Sequence, residues 1–116
     1  MSFDFKSDAP IYLQIIDDIK MQIIKGELKP LDRLPSVREL SLIYEVNPNT
    51  IQRALFSLES DGLIYTERTN GKFVTGDKSI IEKTTDKTVN GMISDFLGSM
   101  ESLGYDKDKL IEILKR

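Results

Sequence analysis

The chain has 116 residues, of which 40% are hydrophobic and 30% are charged, and its net charge at pH 7 is −3. This fits a single domain, or one small domain with an appendage, of ordinary globular composition. The absence of cysteine and histidine excludes disulfides and removes the commonest metal ligands, the commonest general base and the usual partner of a serine nucleophile. No run of residues is apolar enough to span a membrane, and the polar N-terminus does not resemble a signal peptide. We therefore expect a cytoplasmic protein that is not an enzyme, has no catalytic residues and binds no metal or cofactor.

The first helix is predicted over residues 11–25. Its apolar residues recur at helical spacing and are Tyr12, Ile15, Ile16, Ile19 and Ile23. Pro10 suits the start of a helix and Gly26 suits its end. Pro30 and Pro35 then predict an irregular connector, because proline cannot take part in regular backbone pairing.

A second helix is predicted to start at Ser36 and to end near Tyr44. Ser36 and Glu39 have the spacing of a capping box, in which each side chain accepts a hydrogen bond from the other residue's backbone. Val37, Leu40 and Tyr44 give this helix one buried face. A short turn then leads into the third helix.

The third helix is predicted over residues 47–61, after the sequence VNPNT. Asn47 is a favourable N-cap, and Pro48 suits the first helical position. Val46 and Ile51 have the spacing of a hydrophobic staple, which fixes the direction in which the chain enters the helix. The helix is then expected to end at Gly62, since glycine commonly terminates helices.

The two faces of this third helix differ in chemistry. The apolar residues Ile51, Ala54, Leu55 and Leu58 share one face. At about 100° per residue, Asn49 and Arg53 lie almost opposite that face and Gln52 lies on its flank. Phe56 also falls outside the apolar face, and we expect it to pack against the following hairpin or the C-terminal helices rather than to contact an outside partner.

The segment LIYTERTNGKFVTG predicts a two-stranded hairpin over residues 63–69 and 72–75, with Asn70-Gly71 as a two-residue turn. Residues 77–116 are helical by pattern, with a break at Gly104 and a last short helix capped by Asp106 or Asp108. The longer part carries a wide apolar stripe, formed by Val89, Met92, Ile93, Phe96, Leu97, Met100 and Leu103. This stripe needs a cover, either the first part of the chain or the same segment of a second copy, and the width of the stripe favours the second copy.

Three helices followed by a hairpin predict a mainly α fold with a small β-hairpin. This is a winged helix-turn-helix over residues 1–76, followed by a helical dimerisation tail over residues 77–116. In a helix-turn-helix the second helix of the pair enters the major groove of DNA. Asparagine and glutamine can bind adenine edges there, and arginine can bind guanine or phosphate.

The segment DRLPSVRELSLIYEVNPNTIQRALFSLESDGLIYTERTNGKFV resembles the DNA-binding domain of the GntR family of bacterial transcription regulators. The pieces LPSVREL, NPNT and RAL..LE..GLI carry the resemblance. The stretch VNPNT and the short tail after the hairpin resemble the YtrA subfamily in particular, whose tails dimerise. The resemblance implies a homodimeric repressor on a double-stranded, inverted-repeat operator. Its DNA contacts would be Arg33, Ser36, Arg38, Asn47, Pro48, Asn49, Thr50, Gln52, Arg53, Asn70, Gly71 and Lys72. The tail is too short for the effector-binding fold of other subfamilies, so a small-molecule effector is not expected.

Four departures from the family's pattern bear on specificity. Leu31 stands where the family usually has glycine before DRLPS, and Glu45 stands at the turn where glycine is common. Pro48 occupies a position where other subfamilies place arginine. The hairpin reads Arg-Thr-Asn-Gly-Lys over residues 68–72 instead of Arg-Gly-x-Gly. These changes affect the operator sequence and the contact made by the hairpin rather than the class of protein.

Several of these residues also have a purely structural interpretation. Ser36 and Asn47 cap helices in any protein, Arg38 can pair with Glu39 or Glu45, and Arg53 can be an ordinary surface residue. Two other functions are alternatives to DNA binding. The net acidity and Glu45 suit a winged-helix module that binds proteins instead of DNA. A catalytic domain has no support, because histidine and cysteine are absent.

Overall fold

A computed structural model describes residues 3–116, and the chain divides between Glu82 and Lys83 into two compact units. The elements in chain order are α1 (Ile11–Ile24), α2 (Val37–Tyr44), α3 (Pro48–Ser60), β1 (Ile64–Glu67), β2 (Gly71–Val74), α4 (Lys78–Ser102) and α5 (Lys107–Leu114). The predicted winged helix-turn-helix with following helices is therefore confirmed. The predicted bounds of the helices differ from these by one residue at most.

The first unit has one hydrophobic core between its three helices and the hairpin. Helix α3 packs against α1, α2 and β1, so it lies at the centre of this unit. Its four apolar positions are fully buried, as the sequence predicts. Each buried leucine or isoleucine stabilises the fold by about 1.5–3 kcal/mol relative to an exposed one. Because its inner face is held so firmly, the outer face of α3 has a fixed orientation.

The caps of α2 and α3 form as predicted. The Ser36 hydroxyl accepts from the Glu39 N–H at 3.1 Å, and the Glu39 carboxylate accepts from the Ser36 N–H at 2.9 Å. The Asn47 side chain accepts from the Asn49 N–H at 2.8 Å, and Pro48 is the first residue of α3. These bonds satisfy backbone donors that have no partner within a helix. They therefore fix the residues at which α2 and α3 begin.

Among the described residues other than glycine, two have a left-handed backbone, Leu31 with φ of 71° and Glu45 with φ of 56°. These are the two positions at which the sequence departs from glycine. A side chain in this conformation brings Cβ close to the following carbonyl, which costs roughly 1–2 kcal/mol. Glu45 is the residue that ends α2, so the strain lies in the turn between α2 and α3.

Replacing Glu45 by glycine is expected to raise the free energy of unfolding by up to about 1 kcal/mol, because it relieves the backbone strain of the folded chain. The greater conformational freedom of glycine in the unfolded chain offsets only part of this gain. Urea denaturation followed by circular dichroism measures this. Leu42→Gly is the control, since Leu42 is exposed in the middle of α2 and its replacement should lower stability by about 1 kcal/mol. A loss of stability in Glu45→Gly would contradict the strain.

The hairpin differs in its turn from the prediction. Strands β1 and β2 are antiparallel, and Glu67 pairs with Gly71. The loop therefore contains residues 68–70, and the predicted two-residue turn at Asn70-Gly71 is wrong. The Asn70 N–H donates to the Glu67 carbonyl at 3.1 Å, which closes the turn before glycine is reached. Gly71 instead begins β2 with φ of 100°, a conformation that glycine adopts without strain.

The connector before α2 also joins the hairpin. The Leu34 N–H donates to the Lys72 carbonyl, and the Val74 N–H donates to the Asp32 carbonyl, both at 2.8 Å. Arg33 and Phe73 form a single β-bridge. The prolines on either side limit this pairing, as the sequence suggests. The bonds nevertheless hold Arg33 against the hairpin.

Helix α4 begins in the first unit, where Ile80 and Ile81 pack against the hydrophobic core. A functional boundary after residue 76 remains a prediction. In the second unit, Gly104 has φ of 86° and the Asp106 side chain caps α5 by accepting from the Lys109 N–H at 3.0 Å. Within residues 3–116 no helix is both long and apolar enough to cross a membrane.

The apolar stripe predicted on the tail lies on α4 and its C-terminal end. Val89, Met92, Ile93, Phe96 and Leu103 are exposed, whereas Leu97 and Met100 are half-buried. A set of large apolar side chains exposed along one helix face is unusual for a monomer and marks interaction surfaces. We refer to these seven residues as the α4 stripe.

Candidate nucleic-acid interface

The outer face of α3 is polar and accessible. Asn49, Gln52 and Arg53 are exposed, and Thr50 is half-buried beside them. They occupy this face because the opposite one is anchored in the core. Amide and guanidinium groups at this spacing provide donors and acceptors that match the edges of base pairs.

Arg53 has an aromatic neighbour that the sequence did not reveal. Its guanidinium carbon lies 3.8 Å from the centre of the Tyr12 ring, which belongs to the first turn of α1. Together with Ile11, Asn49 and Thr50, these two residues line a shallow cleft of about 360 Å³. The helical pattern assigned Tyr12 to the core face of α1, and it is half-buried there. Only the packing of α1 against α3 brings its ring to the interface.

The start of α2 contributes exposed polar groups next to α3. Ser36 and Arg38 are both exposed, although the Ser36 hydroxyl is already an acceptor in the capping box. In the part of the chain that the structure describes, neither Glu39 nor Glu45 forms an ion pair with Arg38. Glu39 instead accepts from the Ser36 backbone and hydroxyl, and these hydrogen bonds lower the pKa of its carboxyl group. The Arg38 guanidinium is therefore available to an anionic partner.

Arg33 and the hairpin form a second cationic region. A Cβ on Gly71 would lie 3.2 Å from Arg33 Nε, so the absence of a side chain at Gly71 lets the guanidinium lie against the strand. Arg33 is exposed. Asn70 is held in the loop, where its side-chain amide donates to the Glu67 carboxylate at 3.3 Å. This region places an arginine beside the hairpin tip.

Lys72 lies within β2 and is bound to α3. Its ammonium group donates to Glu59 Oε1 at 2.9 Å and to Thr66 Oγ1 at 2.7 Å, and the Thr66 hydroxyl donates to the same carboxylate oxygen. We call these three residues the α3–wing clasp. The sequence predicted Lys72 as a DNA contact, which remains a prediction, but the clasp already partly neutralises its charge.

Replacing Glu59 by glutamine is expected to reduce the acid sensitivity of the fold. The hydrogen bonds from Lys72 and Thr66 lower the pKa of Glu59 from its ordinary value of 4.5. The ionised group therefore stabilises the fold above that value, and this contribution is lost as the pH falls through the lowered pKa. Because the pair is partly exposed, we expect a difference of about 0.5 kcal/mol between wild type and Glu59→Gln.

The measurement is urea unfolding of both proteins at about pH 6 and about pH 3, an interval that begins above the ordinary value of 4.5 and extends below it, the direction in which the pKa is shifted. The wild type should lose more stability than the variant over this interval. Glu67→Gln is a matched control, because Glu67 lies in the same hairpin but outside the clasp. Equal losses in wild type and Glu59→Gln would contradict a stabilising role for the clasp.

Of the two partners predicted for Phe56, packing against the C-terminal helices stays a prediction. Phe56 is 74% exposed, so its predicted packing against the hairpin is wrong. It lies at a groove of about 530 Å³ whose other lining residues are Val37, Gln52, Glu59, Ser60 and Lys72. Since Phe56 follows Gln52 by four residues, both side chains project from the same side of α3. An aromatic ring thus extends the polar face toward the C-terminal end of this helix.

Within the described residues, 3–116, no group of three or more His, Cys, Asp or Glu side chains could hold a metal ion. The first unit combines exposed amides, arginines and helix N-termini. This combination is suited to a polyanion that also presents hydrogen-bonding groups.

Comparisons with known proteins agree with this geometry. Residues 11–74 match the model of the family described as bacterial regulatory proteins, gntR family. The regulator YhcF of Bacillus subtilis is 39% identical, with 99% of this chain and 95% of the relative covered. The transcriptional repressor YtrA of the same organism is 34% identical, with 99% and 89% covered.

Solved structures give the same result. A GntR family transcriptional regulator from Listeria monocytogenes superimposes with a TM-score of 0.88 at 41% identity, covering 96% of this chain and 97% of that one. The DNA-binding domain of AraR, solved in complex with an operator, superimposes with a TM-score of 0.59 at 28% identity and covers 65% of this chain and 95% of that domain. The family match and the full-length relatives together show that this chain belongs to the GntR family of bacterial regulatory proteins.

Proposed function

We propose that this chain, a DNA-binding transcriptional regulator, acts in the cytoplasm as a homodimeric repressor that inserts α3 into the major groove of an operator. The observation that carries the proposal is the exposed row of Asn49, Gln52 and Arg53 on a helix whose opposite face is buried. A helix of about 10–12 Å diameter fits the major groove, which is about 12 Å wide.

The polar residues of α3 are assigned to base reading. Asn49 and Gln52 carry amides that can donate to N7 of adenine and accept from its N6 amino group, and Arg53 can bind guanine through two parallel hydrogen bonds. Asn47, Pro48 and Thr50 lie in the same first turns of the helix, where the positive end of the helix dipole favours phosphate. Asn49, Gln52 and Arg53 would determine sequence preference.

Groups around α3 are assigned to the DNA backbone. Ser36 and Arg38 lie at the N-terminal end of α2, and Arg33 lies against the hairpin. Contacts to phosphate fix the register of a protein on the duplex but carry no sequence information themselves. Asn70, Gly71 and Lys72 would guide the hairpin along the adjacent backbone or groove.

The α4 stripe is assigned to dimerisation. Its side chains are apolar and mostly exposed, and pairing with the same surface of a second copy would remove them from water. A two-fold dimer presents two recognition helices to half-sites about 34–36 Å apart, which requires an inverted repeat. Several relatives, including YtrA, are named repressors, which supports the sign of regulation.

The test is a fluorescence-anisotropy titration on duplexes from the gene's own upstream region. Wild type should bind one segment in preference to scrambled DNA, and its affinity should fall steeply with added salt, because phosphate contacts release counterions. Gln52→Ala and Arg53→Ala should each lose about 1–3 kcal/mol of discrimination at one base pair. Lys25→Ala, an exposed cation at the end of α1, serves as the control.

A second function, binding to a protein partner without DNA, is favoured by the net charge of −3 and by the exposed Glu45 beside α3. It would be supported if affinity for every duplex were weak and unaffected by Gln52→Ala and Arg53→Ala. Binding with a steep salt dependence would contradict it.

A further inference from the structure

The aromatic ring of Tyr12 constrains the side chain of Arg53. Its guanidinium lies over the Tyr12 ring, with 3.8 Å between the guanidinium carbon and the ring centre. No ion pair to Arg53 is formed by any carboxylate of residues 3–116. Arg53 is exposed while Tyr12 is half-buried, so the ring is the fixed member of the pair and the guanidinium is the one held.

From this geometry we propose that Tyr12 is a positioning residue, which holds the Arg53 guanidinium in the orientation that contacts the operator. The inference rests on the proposed function, because it concerns how α3 presents Arg53 to DNA. It extends the DNA-reading surface to the first turn of α1, which neither the helical pattern nor the capping signals assign to this surface.

The stacked arrangement suits this role for a chemical reason. A guanidinium that lies over an aromatic face is attracted by the negative face of the ring, and its N–H donors point outward in its own plane. The edge that binds guanine or phosphate therefore remains free. A flexible arginine would lose side-chain entropy on binding, whereas a stacked one has already lost part of it.

The cleft around this pair supports the same role. Asn49 and Thr50 line it together with Tyr12 and Arg53, so the ring lies next to other residues assigned to DNA. The strong packing of α1 against α3 fixes the distance between the two helices. The position of the ring is thus set by the core, and the ring in turn sets the position of the guanidinium.

The experiment compares Tyr12→Phe and Tyr12→Leu in the full-length chain. Phenylalanine keeps the ring, and leucine keeps an apolar side chain toward the core but removes the ring. On the best duplex from the upstream region, Tyr12→Phe should bind within about twofold of wild type, and Tyr12→Leu should bind about two- to fivefold more weakly. In an Arg53→Ala background, Tyr12→Leu should have no further effect.

A second measurement reports the stack without DNA. In proton–nitrogen NMR spectra of the free chain, the Arg53 Nε–H signal should be shifted upfield by the ring in wild type and Tyr12→Phe, and not in Tyr12→Leu. Circular dichroism melting checks that each variant remains folded. This readout does not depend on the operator.

The outcomes separate the two proposals. If wild type binds no duplex while the Arg53 signal still depends on the ring, the proposed function fails and positioning fails with it. If wild type binds and Tyr12→Leu binds equally well or more tightly, positioning alone is overturned. Equal losses in Tyr12→Phe and Tyr12→Leu would assign the effect to the hydroxyl group, and a loss that persists without Arg53 would show that Tyr12 acts independently. Each of these results overturns positioning.

Discussion

Phe96→Asp is expected to convert the proposed homodimer into a monomer and to lower its affinity for the operator by at least about 100-fold, which corresponds to about 2.8 kcal/mol. Phe96 lies at the centre of the α4 stripe and is 49% exposed in the isolated chain. Burying an unpaired carboxylate in an apolar interface costs several kcal/mol, in addition to the lost burial of the aromatic ring. Because a dimer engages two half-sites at once, loss of the dimer also removes the gain from joint binding.

Sedimentation velocity gives the oligomeric state, and anisotropy on a two-site duplex gives the affinity. Ser94→Asp is the matched control, since Ser94 lies on the same helix turned away from the stripe and receives the same charge. It should remain dimeric and bind DNA almost as wild type does. A dimeric Phe96→Asp with unchanged affinity would show that the α4 stripe is not the interface.

Leu55→Ala is expected to lower the free energy of unfolding of the first unit by about 2–5 kcal/mol. Leu55 is 1% exposed in the middle of α3, where the helix packs against the rest of the core. The substitution removes buried methyl groups and leaves a cavity that the neighbouring side chains cannot fully fill. Since α3 carries the proposed DNA-reading face, operator binding should fail at a lower temperature than in wild type.

Urea denaturation followed by circular dichroism measures the change. The adjacent residue supplies the control, because Phe56 is on the same helix but 74% exposed. Phe56→Ala should change stability by less than about 0.5 kcal/mol. A comparable loss in both variants would contradict the assignment of Phe56 to the surface.

The elements of this fold follow from local signals. The capping box of Ser36 and Glu39 and the Asn47-Pro48 start of α3 involve residues within one helical turn, so their chemistry can be recognised directly. The apolar spacing of α1 and α3 likewise identifies their buried faces. The order of these elements predicted the winged helix-turn-helix and, with it, the outward face of α3.

The contacts that shape the candidate interface join residues that are distant along the chain. Tyr12 meets Arg53 only because α1 packs across α3. Lys72 meets Glu59 only because the hairpin folds back on the helix. Neither pair has a spacing pattern along the chain. The three-residue loop was missed for a related reason, since the Asn-Gly signal does not reveal which residue closes the turn.

The α3–wing clasp has a consequence for how the operator is selected. Because Lys72 is bound to Glu59, the hairpin is attached to α3, and the opening between them is restricted before DNA binds. A duplex whose natural curvature matches that opening binds without distortion, whereas a stiffer or straighter one must be deformed first. We therefore expect the protein to discriminate among base pairs that no side chain contacts, because these base pairs determine how easily the duplex bends. Weakening the clasp should allow the protein to bind duplexes with a wider range of curvatures.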